Sequence, residues 1–196
     1  MRTTVTSDDL LAGLKDPGNA TVWNDYVGRY RPVLLEFGRR LGLRDADAED
    51  AAQQALLTFA QSFCAGRYDK DRGRLRHWLY GIAANAMKEQ RRKLARERRP
   101  GAGDASFDAD VLPAADALEA LWDEEWRAAF LAHCLALVRD EVEAKTYAAF
   151  DRFACQDRPA AEVAAELGMT ENAVYGCKRR VLERLRELAS TLEESW

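Results

Sequence analysis

Lys178, Arg179 and Arg180 form a run of three cations, with Asn172 and Tyr175 one to two helical turns before them. Cations hold phosphates, while an amide and a phenol can exchange hydrogen bonds with base edges, so residues of these types on one helix suit nucleic-acid recognition. A second basic set is denser: residues 65 to 99 hold 12 Lys/Arg against 4 Asp/Glu. Tyr68, His77, Trp78 and Tyr80 are interleaved with those cations. Positive charge for a backbone and π-faces for unpaired bases is the composition that binds single strands. The plainer reading makes Trp78 and Tyr80 core residues of a helix, and for Trp78, spaced four from Ile82, at least partial burial is the stronger expectation.

A third set is acidic and amidic. Asp47, Glu49, Asp50, Gln53, Gln54 and Gln61 share the segment 46 to 63, and Leu57 sits among them. A lone exposed leucine is ordinary. Amid carboxylates and amides it becomes an apolar anchor in a docking surface for a basic protein partner. Nothing in the chain resembles a phosphate-cradling glycine loop, a nucleophile paired with a base, or a metal cluster. Cys64, Cys134, Cys155 and Cys177 are scattered without a CxxC pair, which predicts four thiols in or near apolar faces and no cofactor or metal. The expectation is therefore a non-enzymatic protein.

The elements that must carry these sets are helical. The 196 residues are 47% hydrophobic and 32% charged, enough for one ordinary domain or two small ones. No apolar run approaches a membrane span, and the N-terminus lacks the pattern of a cleaved leader, so a cytoplasmic protein without membrane insertion is expected. Pro100, Gly101, Gly103 and Pro113 interrupt the periodicity, and residues 100 to 126 carry 8 acidic and no basic residues. The stretch 99–116 reads as a flexible acidic linker between domains at 1–98 and 117–196.

In the first domain a helix starts at Ser7. Another spans 21 to 41 with Val22, Tyr26, Tyr30, Val33, Leu34, Phe37 and Leu41 on one stripe, a local kink or break at Pro32, and a stop at Gly42. The segment 46 to 63 steps by three and four through Ala48, Ala51, Ala52, Ala55, Leu56, Phe59, Ala60 and Phe63, the pattern of an amphipathic helix. A basic helix follows at about 75 to 98. The second domain has helices near 117–138, 142–155, 158–167 and 170–192. The class is all-α.

The sharpest local pattern runs from Pro159 to Leu188. Pro159 suits a first helical turn, Ala164 permits close helix crossing, Gly168 supplies the positive φ of a tight turn, Thr170 caps the next helix, and Val174 faces inward. Val174, Val181, Leu185 and Leu188 form the buried stripe, leaving Glu171, Asn172, Tyr175, Lys178, Arg179 and Arg180 to solvent. This is a helix-turn-helix, whose second helix enters the major groove when it binds DNA.

In this order the segments resemble the bacterial RNA polymerase sigma factors of the sigma-70 family, specifically the small two-domain extracytoplasmic function (ECF) type. RRLGLRDADAEDAAQQALLTFAQ is similar to the core-polymerase-binding segment, YDKDRGRLRHWLYGIAANAMKEQRRK to the −10 recognition and melting segment, and the terminal helix-turn-helix to the −35 reader. The resemblance implies a sigma2-like bundle and a sigma4-like helix-turn-helix. It places Asp47, Glu49, Asp50, Gln53, Gln54 and Leu57 on the clamp helices of the polymerase largest subunit, with the second domain at the flap region. The loop Tyr68 to Leu75, with Arg74, Trp78 and Asn85, would receive a base flipped from the non-template strand, while Lys88, Arg91 and Arg92 lie along promoter backbone. Thr170, Asn172, Tyr175, Gly176, Lys178, Arg179 and Arg180 would face −35 bases and phosphates. An anti-sigma protein is a further implied partner.

Where relatives often carry a basic residue, then Ser and Arg, this chain has Tyr175, Gly176 and Cys177, so its −35 preference cannot be borrowed. Some relatives lack the acidic residues and regain charge by phosphorylation; Asp47, Glu49 and Asp50 predict no such requirement at Thr58. Two other readings stay open: a stand-alone helix-turn-helix regulator that reads a palindrome as a dimer, and a helical adaptor that binds no DNA.

Overall fold

The computed structural model describes residues 7–16, 18–69, 71, 73–97 and 113–192, residues 7–9 by backbone only. Every regular element among the described residues is helical: α1 (Ser7–Gly13), α2 (Ala20–Arg40), α3 (Asp45–Cys64), α4 (Leu75–Glu97), α5 (Ala115–Glu141), α6 (Ala144–Phe150) ending in a π-turn (Asp151–Cys155), α7 (Ala160–Leu167) and α8 (Glu171–Leu192). The side chain of Ser7 and most of the acidic linker, residues 99–112, lie outside the described residues.

The chain forms two compact units, residues 1–129 and 130–195. Their division falls inside α5, not at the expected start of the second domain. The reason lies in Trp122 and Trp126, one turn apart. Trp122 meets Phe37 edge-on at 5.3 Å and Trp126 stacks on Tyr30 at 5.3 Å. Arg40 adds ion pairs to Glu124 (2.9 Å) and Glu125 (3.2 Å), and Arg76 pairs with Asp123. Residues 117–129 thus pack with the first unit because two large aromatic side chains find their area there.

The rest of the first unit is the short α1 and a bundle of α2, α3 and α4. Tyr26, Tyr30, Val33, Leu34 and Phe37 from α2 and Ala48, Ala51, Ala52, Ala55 and Phe59 from α3 are buried, as their spacing predicts. From α4, Leu75, Leu79, Ala83 and Met87 complete the core at steps of four. Each large side chain removed from water contributes roughly 1.5–3 kcal/mol. Burial lifts the phenols of Tyr26 and Tyr30 well above the usual range, so both stay neutral. Gly38 lets α2 lie close against α3 and α4: a Cβ there would meet Ala48 Cβ and Met87 Sδ at 3.1 Å each. Pro32 does not break α2, which continues through it with the ring exposed. Gly42, at φ 80°, follows the end of that helix as expected.

In the second unit Ala149, Ala160, Val163, Ala164, Val174 and Cys177 form one core cluster, and Val138, Phe150, Val181 and Leu188 a second. Arg184 on α8 ties back to Glu141 through two hydrogen bonds of 2.5 and 3.2 Å. Cys134 is buried, and loss of water around it pushes its thiol up to about 11.

Candidate nucleic-acid and partner interface

On α3 the exposed face is Asp50, Gln53, Gln54, Leu57 and Gln61, which follow one another at helical steps. Leu57 is 50% exposed, unusual for its size in this chain. It stands between two grooves. One, of about 580 Å³, runs toward α4 and is walled by Asp50, Gln54, Ala86, Gln90, Lys93 and Arg96. The other, of about 490 Å³, runs toward α2 and is walled by Trp23, Val27, Arg31, Glu49, Leu56 and Ala60. Gln53 and Leu57 line both, so a partner helix laid on this ridge could press side chains into either side.

Two carboxylates expected on this face do other things. Asp47 is buried in the first turn of α3, where the helix dipole favours an anion, and accepts from Arg44 Nε at 2.8 Å. Glu49 accepts from Arg31 Nε (3.0 Å) and Arg31 Nη2 (2.6 Å). Asp50 is exposed and makes no ion pair among the described residues, so it is the carboxylate this ridge has to offer.

α4 shows two opposite stripes. Leu75, Leu79, Ala83, Met87 and Arg91 are buried; His77, Gly81, Asn85, Lys88 and Arg92 are exposed. Arg91, expected along DNA backbone, is therefore turned inward. Its Nη1 donates to the Leu41 carbonyl at 2.5 Å, holding the end of α2 to α4. Arg92 remains outside, 3.9 Å from Glu89, which also accepts from Arg96 at 3.1 Å.

Before α4, Arg74 is exposed and Tyr68 is half-buried, its hydroxyl donating to the Gly73 carbonyl at 3.4 Å. Trp78 is half-buried as well. Its ring lies 5.1 Å from Tyr68, 5.0 Å from Phe59 and 6.5 Å from Phe63. Phe59 in turn stacks on Tyr26 at 4.3 Å. The Tyr68–Trp78 pair is thus the outer end of an aromatic stack rooted in the core. Lys70 and Arg72 of this loop lie outside the described residues.

On the second unit, Gly168 closes the turn after α7 with φ 59°, and Thr170 Oγ1 accepts from the Ala173 amide at 3.2 Å, the expected cap. Val174 and Val181 are buried, whereas Leu185 is only half so. Thr170, Asn172, Tyr175, Arg179 and Arg180 are exposed along α8, and Gly176 is partly so. Lys178 departs from the expectation of free exposure: it is half-buried, with Nζ 5.1 Å from the centre of the Phe153 ring. Phe153 also meets Tyr175 edge-on at 5.3 Å. Sequence reasoning missed Phe153, because a π-turn shifts residues off the 3.6 period by which faces are assigned.

Residues 26–97 match the family model of Sigma-70 region 2. That stretch of the first unit is similar to sigma-70 region 2. The match supports a sigma factor of the sigma-70 family with a role in transcription initiation, and it spans all of the α2 stripe but Val22 together with all of α3 and α4. The Leu57 ridge and the exposed stripe of α4 both lie within the matched residues, whereas α8 lies beyond them. The chain matches no curated protein.

Proposed function

We propose that this chain is an alternative sigma factor of the ECF type, which binds core RNA polymerase and directs initiation at promoters read through a −10 and a −35 element. The observation that carries the reading is the coincidence, inside the residues that match sigma-70 region 2, of an exposed Asp50–Gln53–Gln54–Leu57 ridge with a separate cation-bearing stripe on α4. The ridge docks on the clamp helices of the largest subunit. Tyr68, Arg74, Trp78 and Asn85 receive an unpaired base, and Lys88 and Arg92 hold backbone phosphates. The Tyr68–Trp78 face provides stacking that offsets the few kcal/mol of unstacking a flipped base costs.

The helix-turn-helix of the second unit reads the −35 element through Asn172, Tyr175, Arg179 and Arg180, with Gly176 allowing close approach, and that unit sits at the flap region of the polymerase. The acidic segment 99–116 threads toward the positively charged RNA-exit region. Melting is driven by capture of unpaired bases, with no nucleotide hydrolysed by this chain, and the protein acts in the cytoplasm under restraint by an anti-sigma partner.

Capture of core polymerase by the purified chain, followed by run-off transcription from a promoter library, tests the reading. Transcripts from a defined promoter set should appear only when the chain is added. Asp50→Arg combined with Leu57→Ala should abolish capture. Retention of polymerase by that double variant would sink the docking surface, and stable dimeric DNA binding without polymerase would favour a stand-alone regulator.

A further inference from the structure

We propose that Phe153 is a positioning residue for upstream-element recognition, holding Tyr175 and Lys178 of α8 in the conformations in which they meet DNA. The inference rests on the proposed role of α8. Its starting point is the backbone: at Asp151–Cys155 the helix widens into a π-turn, closed by the Gln156 amide donating to the Asp151 carbonyl at 2.9 Å. Such turns place an extra residue where the regular helix has none, and they concentrate at functional sites.

Here the turn brings Phe153 to the edge of α8. Its side chain packs against the core cluster that contains Ala149, Val163 and Val174. Its ring also meets two residues of α8 three apart, the Tyr175 ring edge-on at 5.3 Å and the Lys178 ammonium at 5.1 Å. Tyr175 is 51% exposed, so nothing else of comparable size confines it. A tyrosine and a lysine on an open helix face would otherwise sample several rotamers. Fixing them beforehand removes an ordering cost from binding, which is how a preorganised surface gains affinity and discrimination. Tyr175 then presents its hydroxyl to a base edge, and Lys178 presents its charge to a phosphate beside it.

The test uses the full chain with core polymerase from its source organism on a promoter library randomised across the upstream element. Phe153→Met keeps bulk and removes the ring; it should lower the preference at the base pair read by Tyr175 roughly 5- to 10-fold, the scale of an edge contact plus a cation–π contact. Phe153→Tyr, which keeps the ring, should restore that preference. Adding Phe153→Met to Tyr175→Ala should cost no further preference, since both act on the same contact. Full preference in Phe153→Met, or losses that simply add in the double variant, would overturn the proposal. If Phe153→Met fails to fold, side-chain couplings of Tyr175 in the unaltered free chain decide instead: one χ1 rotamer supports the proposal and averaging over several overturns it. Loss of preference in Arg180→Ala and Tyr175→Ala but not in Phe153→Met would leave α8 as the reader and remove only Phe153. If neither Arg180→Ala nor Tyr175→Ala changes the preference, the recognition role of α8 falls, and this inference with it.

Discussion

The two helices proposed to face DNA are supported in opposite ways. On α4, the aromatic residue beside the cations is Trp78, in contact with Tyr68, Phe59 and Phe63 and through Phe59 with the stack that reaches Tyr26. On α8, Tyr175 leans on Phe153 at the rim of its unit and is otherwise open. A base taken out of the stack needs a wall that does not yield, and a wall rooted in the core gives that. A base pair read in a groove needs a side chain that protrudes, and protrusion leaves little to hold it. The difference between the two aromatic sites therefore matches the difference between melting and reading.

Trp78→Ala and Tyr175→Ala give the sharpest test of that contrast. Trp78→Ala should destabilise the first unit by about 3 kcal/mol, since it opens a gap beside Phe59 and Phe63. Tyr175→Ala should change the stability of the second unit by about 1 kcal/mol or less, the edge contact with Phe153 being what is lost, while weakening use of the upstream element. Denaturant unfolding measured alongside promoter-library transcription separates the two effects. Equal stability losses would show that Tyr175 is as much a core residue as Trp78, and the contrast would collapse.

Adjacent arginines on α4 sharpen the comparison at a smaller scale. Arg91→Met removes the charged donor from the Leu41 carbonyl and should cost about 2 kcal/mol of stability. It should leave the salt dependence of DNA binding unchanged. Arg92→Ala should do the reverse, lowering the slope of log K against log salt by about one while stability stays within about 0.5 kcal/mol. A reduced slope for Arg91→Met would mean that this arginine leaves its buried site when DNA binds.

That pair also marks what could be read from the chain. The all-α class, the buried stripes of α2 and α3, the cap at Thr170 and the left-handed turn at Gly168 follow from spacing and residue type, because each is decided within one or two helical turns. Arg91 was legible too: it continues the steps of four through Leu75, Leu79, Ala83 and Met87, yet its charge suggested the surface. Asp47 likewise shares the face of Ala51 and Ala55 and is buried there, paired with Arg44. The boundary inside α5 and the role of Phe153 were not legible. The first depends on which aromatic surface Trp122 and Trp126 find, and the second on a π-turn that no periodicity announces.

The smallest effects, and the most pointed, belong to two glycines. Gly81 on the exposed stripe of α4 and Gly176 on α8 both lie inside helices, and an added Cβ would meet nothing within 4 Å at either. Neither has the packing reason that Gly38 has. Glycine in a helix interior costs up to about 1 kcal/mol relative to alanine, so each is retained at some expense to its own helix. A backbone laid bare on a face that also carries cations is suited to close approach by another molecule. Gly176→Ala and Gly81→Ala should therefore each raise stability by about 0.5–1 kcal/mol while lowering transcription from dependent promoters, the first through the upstream element and the second through the melted one. Higher stability without any loss of transcription in Gly81→Ala would mean that DNA does not come close to α4 at that turn, confining the approach to Asn85, Lys88 and Arg92 further along the same stripe. The same outcome in Gly176→Ala would mean that DNA does not come close to the backbone of α8 at that turn, leaving Asn172, Tyr175, Arg179 and Arg180 to reach it through their side chains.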